Sequence, residues 1–325
     1  MQSNEKTIKA YATGLILAVT DWLTVVPWIR FLGLCTTKGY KLDYTDRKAV
    51  EEDIRKGAVF LTNHRDIIMD PTFLSMLLRE RYCIRPFMGI GNNLFGKWWI
   101  EPFVRFNRCF VVIRGGAPRE LLQHSQVLAS YIHKLRARGK SVWLAQREGR
   151  AKDGNDLTQP AVLKMLTMGQ DNFIEAIRAL NICPVSLNYE YDPCDYLKAA
   201  EFQLKRDNPD WKKTKQDDIL SMETGICGKK GRVVFRMTPS INRWLDTVDL
   251  SALPRNAQVE AVAKQIDKQI HSAYEIYPRG TEFEAYLQNQ LSKVTIPNKD
   301  ITFLNEKIHE MYTNPIKNHH LACDT

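Results

Sequence analysis

Residues 58–71 read AVFLTNHRDIIMDP, an apolar run over Ala58–Thr62 that ends on Asn63-His64, with Asp66 and Asp70 two and six residues beyond the histidine. A short apolar run closed by polar residues predicts a buried strand. A histidine leaving such a strand with carboxylates close behind can form a base and its orienting acid. The carboxylate fixes the imidazole tautomer and stabilises the imidazolium that forms. A plainer arrangement uses the same residues: the histidine caps the next helix and the acids favour its N-terminus. For an isolated His-x-Asp the plainer arrangement wins, so the decision rests on the rest of the chain.

Short strand-like runs alternate with helical patterns from residue 58 onward, which predicts an α/β fold. The expected strands are Ala58–Thr62, Cys109–Ile113, Ser141–Ala145, Cys183–Leu187 and Arg232–Met237. A helix follows Pro118, with Leu121, Leu128, Ile132 and Leu135 on one face and Gly139 as its C-terminal cap. Gln159–Leu180 reads as a second helix, and Asn256–Tyr277 as a third, with Val259, Val262, Ala263, Ile266 and Ile270 on its apolar face. Residues 192–230 read as a polar surface insertion, and the chain beyond Arg279 as a polar helical extension in which His319-His320 is solvated.

With 44% hydrophobic and 26% charged residues, the 325-residue chain is neither disordered nor collagen-like. Its net charge of +9 favours phosphorylated substrates, lipid head groups, acidic carrier proteins or nucleic acid. No nucleic-acid motif is present. Seven cysteines, an odd number with no CxxC pair, exclude a disulfide framework and a zinc knuckle; reduced thiols packed as small hydrophobes are expected. No metal site is expected.

The basic charge is concentrated. Lys134 to Lys152 holds seven basic residues against Glu148 alone, +6 of the net +9. Its first half lies at a helix end, where cations suit the dipole and need no ligand. Its second half, QREGRAKDGND at 146–156, follows a strand, where α/β folds bind ligands. Gly91 to Lys97 opens like a phosphate-binding P-loop but continues with Trp98 rather than Ser or Thr, which rejects that motif.

Thr13 to Leu34 is apolar but interrupted by Asp21, Pro27 and Arg30, so it is too broken for a spanning helix. Two readings stay open. Either two short apolar helices, broken near Pro27, lie in one membrane leaflet with Trp22, Trp28 and Phe31 at the interface, or a first helix packs on the core.

These spaced blocks resemble the glycerophospholipid acyltransferases, the lysophosphatidate and glycerol-phosphate acyltransferase superfamily. The resemblance rests on Asn63-His64…Asp70, CFVVIR ending at Arg114, Arg147-Glu148-Gly149-Arg150, and Cys183-Pro184-Val185, over roughly 58–190. It implies a central mixed sheet flanked by helices, glycerolipid acyltransferase-like, with N-terminal apolar helices. The implied organisation is an apolar membrane-associating segment over 1–40, an acyltransferase domain over 41–280 and a helical extension over 281–325. The family places four residues between His and Asp, whereas five separate His64 from Asp70. Either Asp70 keeps the family role or Asp66 takes it; Asp70 is favoured because Asp70-Pro71 stands where the family's acid begins its helix. In the Glu-Gly block the family's Pro and Thr are Arg147 and Arg150.

The resemblance implies transfer of an acyl group from acyl-CoA or acyl carrier protein to a lysolipid or glycerol-phosphate-type hydroxyl, on the cytoplasmic face of a membrane and without a cofactor. His64 would be the general base and Asp70 or Asp66 its partner. Asn63, Arg65, Arg114, Arg147, Glu148, Gly149 and Arg150 would bind substrate, with Glu148 orienting an arginine. Backbone N–H groups near Asn63–Arg65 would stabilise the oxyanion. Phe95, Trp98 and Trp99 would line the acyl path or pack in the core. The extra arginines leave room for a different acceptor, such as an amino-acid-based lipid. The altered spacing leaves room for a non-catalytic lipid-binding relative.

Overall fold

The computed structural model describes residues 26–92, 108–113 and 115–324. Its elements, in chain order, are α1 (Val26–Thr36), β1 (Thr37–Tyr44), α2 (Arg47–Ile54), β2 (Val59–Thr62), α3 (Met69–Tyr82), β3 (Phe87–Gly91), β4 (Cys109–Val112), α4 (Pro118–Ala137), β5 (Val142–Ala145), α5 (Pro160–Leu166), α6 (Phe173–Leu180), β6 (Ile182–Tyr189), α7 (Asp195–Asp207), α8 (Lys215–Cys227), β7 (Gly231–Met237), α9 (Ile241–Leu245), α10 (Arg255–Ser272), α11 (Thr281–Lys293) and α12 (Ile301–Cys323).

The strands form one mixed seven-stranded sheet in the order β1-β7-β6-β2-β5-β3-β4. Neighbours run parallel except β6 and β7. β2 is central and wholly buried, which explains its unbroken apolar reading. Its side chains alternate between two cores. Phe60 packs with Phe73, Leu74 and Phe235 on one face, and Val59 and Leu61 with Ile132, Leu163, Ile177 and Ile266 on the other. β2 and β5 are in register from Val59↔Val142 to Thr62↔Ala145. The chain therefore leaves both strands at one end of the sheet, side by side.

All five expected strands form, with ends shifted by a residue or two. Two more were not expected. β1 begins at Thr37, inside the segment assigned to the N-terminus; it is an edge strand whose Lys38, Lys41 and Asp43 hide its apolar side. β3 has glycine at two of five positions, which weakens a strand pattern. Gly89 is needed there, because a Cβ would lie 2.4 Å from Leu144 Cδ2.

The 159–180 helix is in fact α5 and α6, parted by Gly169 at φ +76° and restarted by Asn172, whose side chain accepts from the Glu175 N–H. The insertion is not a surface loop. α7 and α8 are ordered helices, and Ala199 and Ala200 of α7 pack against Leu287, Leu304, Ile308 and Met311 of α11 and α12. α7 also buries Asp195, Lys198, Glu201 and Gln203, so its inward face reads as polar in sequence. Nor is the tail fully solvated: His319 Nδ1 donates to the His271 carbonyl at 2.8 Å, which ties α12 to α10.

The helix-end basic residues do have a structural role. Arg136 donates to the carbonyls of Leu180 (2.8 Å), Lys140 (2.8 Å) and Lys56 (3.2 Å). None of the cysteines is in a disulfide, but Cys35, Cys83, Cys227 and Cys323 are exposed rather than packed; Cys183 and Cys194 are buried.

Pro27 lies within α1, and the first of the two apolar helices and the break expected before α1 fall outside the described residues. Ile29 and Gly33 face inward, while Trp28, Phe31 and Leu34 face out at 49%, 62% and 79% exposure. Among the described residues no helix is long and apolar enough to cross a membrane.

Candidate active site

The turn after β2 is closed by Asp70 at the start of α3. Asp70 Oδ2 lies 2.8 Å from His64 Nδ1 and accepts from the N–H groups of Arg65 (2.7 Å) and Asp66 (2.9 Å). Its Oδ1 accepts from the Tyr189 hydroxyl at 2.8 Å. The carboxylate is fully buried, so these bonds replace its hydration. With Nδ1 engaged as donor, the lone pair of His64 belongs to Nε2. The ring meets Trp143 edge-on, with centroids 6.0 Å apart.

Asp66 holds a different place. Its Oδ1 accepts from the N–H groups of Ile68 (2.9 Å) and Met69 (2.8 Å), satisfying amides at the start of α3. Burial above all, and the neighbouring Asp70, push its carboxyl up from the ordinary range. Of the two acids left open by the sequence, Asp70 is the one against the imidazole.

The first of the remaining site candidates turn inward. Asn63 Oδ1 accepts from the Leu187 N–H (2.7 Å), while Nδ2 donates to the Leu187 carbonyl (3.0 Å) and to Asp156 (3.3 Å). Asn63 therefore staples the end of β2 to β6, and its amide is spent on that contact rather than on substrate. Arg65 Nη2 lies 2.6 Å from Asp156 Oδ2, which also accepts from the Tyr274 hydroxyl at 2.7 Å. Burial opposes the Arg65 charge, yet Asp156, helped by Tyr274, Asp192 and Asp70, holds the guanidinium above its ordinary pKa. The N–H groups of Arg65 and Asp66 are occupied by Asp70, so they are not donors for an oxyanion, contrary to the expectation for Arg65.

A cavity of about 660 Å³ opens at this end of the sheet, and His64, Trp143, Arg147, Glu148, Gly149, Arg150 and Lys152 line it. Ile90, Val112, Leu121, Val162 and Met165 supply apolar wall. Arg114 lies outside the described residues, although Ile113 and Gly115 on either side line the cavity. Phe95, Trp98 and Trp99 also lie outside them.

The loop after β5 is fixed by backbone: the Gln146 N–H donates to the Thr62 carbonyl at 2.8 Å, and the Glu148 N–H to Gln159 Oε1, also at 2.8 Å. Gly149 turns at φ +70°, a conformation that favours glycine. The Glu148 side chain is exposed. Arg150 is nine-tenths buried, and its Nη1 and the Nε of Arg147 are buried without a hydrogen-bond partner among the described residues. Burial disfavours the Arg150 charge, but Cys194, Asp192 and Asp66 outweigh it and keep the group charged. Lys152 pairs with Glu201, and Lys213 with Asp218 at 2.8 Å, so those cations are neutralised locally.

Sequence reading missed Tyr189, Asp156 and Lys198. Each lies far along the chain from His64: the pairing of β2 with β6 brings Tyr189 near, its pairing with β5 brings Asp156, and the placement of α7 brings Lys198. Among the described residues no group of side chains has the makings of a metal site.

The arrangement holds an imidazole in a set orientation beside a pocket lined by Arg147, Arg150 and Lys152. Compared with known families, the chain matches a family model described as Acyltransferase over residues 41–187. No curated protein matches it.

Proposed function

This chain belongs, over residues 41–187, to the acyltransferase family of the glycerophospholipid acyltransferase superfamily, and we propose that it is an O-acyltransferase for a phosphate-bearing lysolipid. It moves a fatty acyl group from acyl-CoA or acyl carrier protein to the hydroxyl of a lysophosphatidate or glycerol-phosphate-type acceptor. The observation that carries this reading is the 2.8 Å contact of His64 with Asp70 in a cavity shared with Arg147 and Arg150.

In this reading His64 Nε2 takes the proton of the acceptor hydroxyl as its oxygen attacks the thioester carbonyl. Asp70 holds the ring and stabilises the imidazolium. The C–S bond then breaks, and the thiolate, of pKa about 8.5 as a free thiol, takes the proton back from His64. Arg147 and Arg150 bind the acceptor phosphate through their unpartnered N–H groups. No residue of the mechanism calls for a cofactor.

The two guanidiniums favour a second acceptor class as well, amino-acid-based lipids, whose carboxylate suits the same donors. Thiol release from a long-chain acyl-CoA with a panel of lysolipids tests both. Turnover with a phosphate-bearing acceptor supports the first, and turnover only with a carboxylate-bearing one favours the second. Silence with every acceptor, and again with acyl carrier protein, supports a non-catalytic lipid-binding relative.

We also assign the protein to the cytoplasmic face of a membrane as a peripheral or monotopic protein. The outward Trp28, Phe31 and Leu34 of α1 support this, since aromatic and aliphatic side chains on one helix face partition into a bilayer interface. Replacing all three by serine is expected to lower sedimentation with anionic phospholipid vesicles; unchanged sedimentation removes the assignment.

A further inference from the structure

The turn that carries His64 is longer by one residue than the family spacing, and a longer turn has more ways to arrange itself. Here it is gripped from outside the matched segment. Lys198 of α7, only 2% exposed, donates to the Arg65 carbonyl at 3.2 Å and pairs with the Asp192 carboxylate. The Arg65 carbonyl and the Asp66 N–H are the two ends of one planar peptide. That N–H is one of the donors to Asp70 Oδ2, at 2.9 Å. A single peptide plane is thus held by an ammonium at its oxygen and by the histidine's carboxylate at its nitrogen. The cation polarises the peptide and strengthens the N–H as a donor.

α8 makes a second grip. A Cβ at Gly225 would fall 2.0 Å from Asp66 Oδ2 and 2.8 Å from its Cγ, so the absence of a side chain lets α8 lie directly on the Asp66 carboxylate. That carboxylate in turn holds the Ile68 and Met69 amides. Arg65, the carboxylates of Asp66 and Asp70, and the start of α3 are therefore fixed by residues 192–230 as well as by the sheet.

We infer that the 192–230 segment is a positioning element of the active site, in which Lys198 and Gly225 set the His64–Asp70 turn in the geometry that orients the imidazole. This rests on the reading of His64 as the general base. Lys198 and Gly225 touch no reacting atom; they act through the turn.

The test uses the full chain with Lys198→Met combined with Asp192→Asn, which removes the buried ion pair without leaving a lone charge, and separately Gly225→Ala. Both are expected to lower kcat by about 10- to 100-fold, the scale of a small misplacement of a reacting group. KM for donor and acceptor should change little in Gly225→Ala, whereas the double variant also removes Asp192, which supports the Arg150 charge, so its acceptor KM rises as well. The low-field proton resonance of His64 Nδ1–H, identified by its loss in His64→Gln, should shift or broaden in both variants. Lys198→Arg, which keeps a cation near the carbonyl, should recover part of the rate. Ile308→Val, a mild change in the core behind α7, controls for loss of stability alone and should leave kcat and the resonance as they are.

Wild-type kcat and an unmoved resonance in Gly225→Ala and the double variant would overturn the inference. So would a kcat loss that Ile308→Val reproduces. If the double variant does not fold, Gly225→Ala and Lys198→Arg decide alone. If the wild type transfers no acyl group to any acceptor, the reading of His64 as base fails, and the resonance still reports whether residues 192–230 set the histidine.

Discussion

The turn after β2 and the loop after β5 leave neighbouring parallel strands at the same end of the sheet, yet they use their polar groups in opposite ways. In the turn after β2 every functional oxygen is spoken for: Asp70 accepts from His64, Arg65, Asp66 and Tyr189. In the loop after β5, Arg147 Nε and Arg150 Nη1 are buried with no partner among the described residues. A buried polar group left without a partner costs on the order of 1–3 kcal/mol, so an incoming anion that bonded to these N–H groups would offset that cost. In the proposed mechanism the first loop holds the catalyst still and the second receives the acceptor's anion. The mutational consequences should separate accordingly, into kcat on one side and KM on the other.

The largest effect is expected in the first loop. His64→Ala should abolish measurable transfer, and Asp70→Asn should lower kcat by about 10²- to 10⁴-fold, the range for loss of positioned acid–base catalysis. Steady-state kinetics on soluble thioester release checks both. The paired Asp66→Asn should cost far less, because asparagine can still accept from the Ile68 and Met69 amides. A reversed ranking of the two aspartates would break the assignment of Asp70.

In the second loop, Arg150→Met should raise KM for a phosphate-bearing acceptor by about 10- to 100-fold, the equivalent of losing charge-assisted hydrogen bonds. kcat at saturation should hold close to wild type. An Arg150→Met variant that loses kcat with KM intact would erase the contrast between the loops.

Much of this contrast was already written in the chain. The apolar run 58–62 is a central strand buried on both faces, so its composition announces it, and the same holds for β5 and β6. His64, Asp70 and the Arg147–Arg150 loop follow such strands directly, which is why they could be found. The inward roles of Asn63 and Arg65 could not be found, because they depend on Leu187 and Asp156, more than ninety positions away. α7 was hidden for another reason. Its buried face carries Asp195, Lys198, Glu201 and Gln203, which bond to Gln290, Asp192, Lys152 and the Asn298 carbonyl respectively, and hydrophobic periodicity cannot register a polar core. β1 and β3 were hidden by edge polarity and by glycine.

The smallest expected effect sharpens the comparison from a third region. Asp195 accepts from the Tyr312 hydroxyl at 2.8 Å and from Gln290 Nε2 at 2.6 Å, where α7 meets α12 and α11. Burial, with Asp192 next, pushes its carboxyl up to about 7. An unfolded aspartate loses its proton near pH 4, about 3.9. The folded chain keeps a proton that the unfolded chain has released, so this group's contribution to stability falls as pH rises from about 4 to about 7 and then levels. Asp195→Asn should remove that slope, gaining on wild type in melting temperature as pH rises through the same window. Parallel curves for the two proteins would show that Asp195 carries no such shift.

The central claim is that a histidine oriented by Asp70 transfers an acyl group to an acceptor held by the β5 loop. The most direct measurement is thiol release from a long-chain acyl-CoA, or from acyl carrier protein, with a phosphate-bearing lysolipid, on wild type, Asp70→Asn and Arg150→Met side by side. The account predicts turnover in wild type, a collapse of kcat in Asp70→Asn and a raised acceptor KM in Arg150→Met. Equal turnover in wild type and Asp70→Asn, or none in wild type with any acceptor, would contradict it.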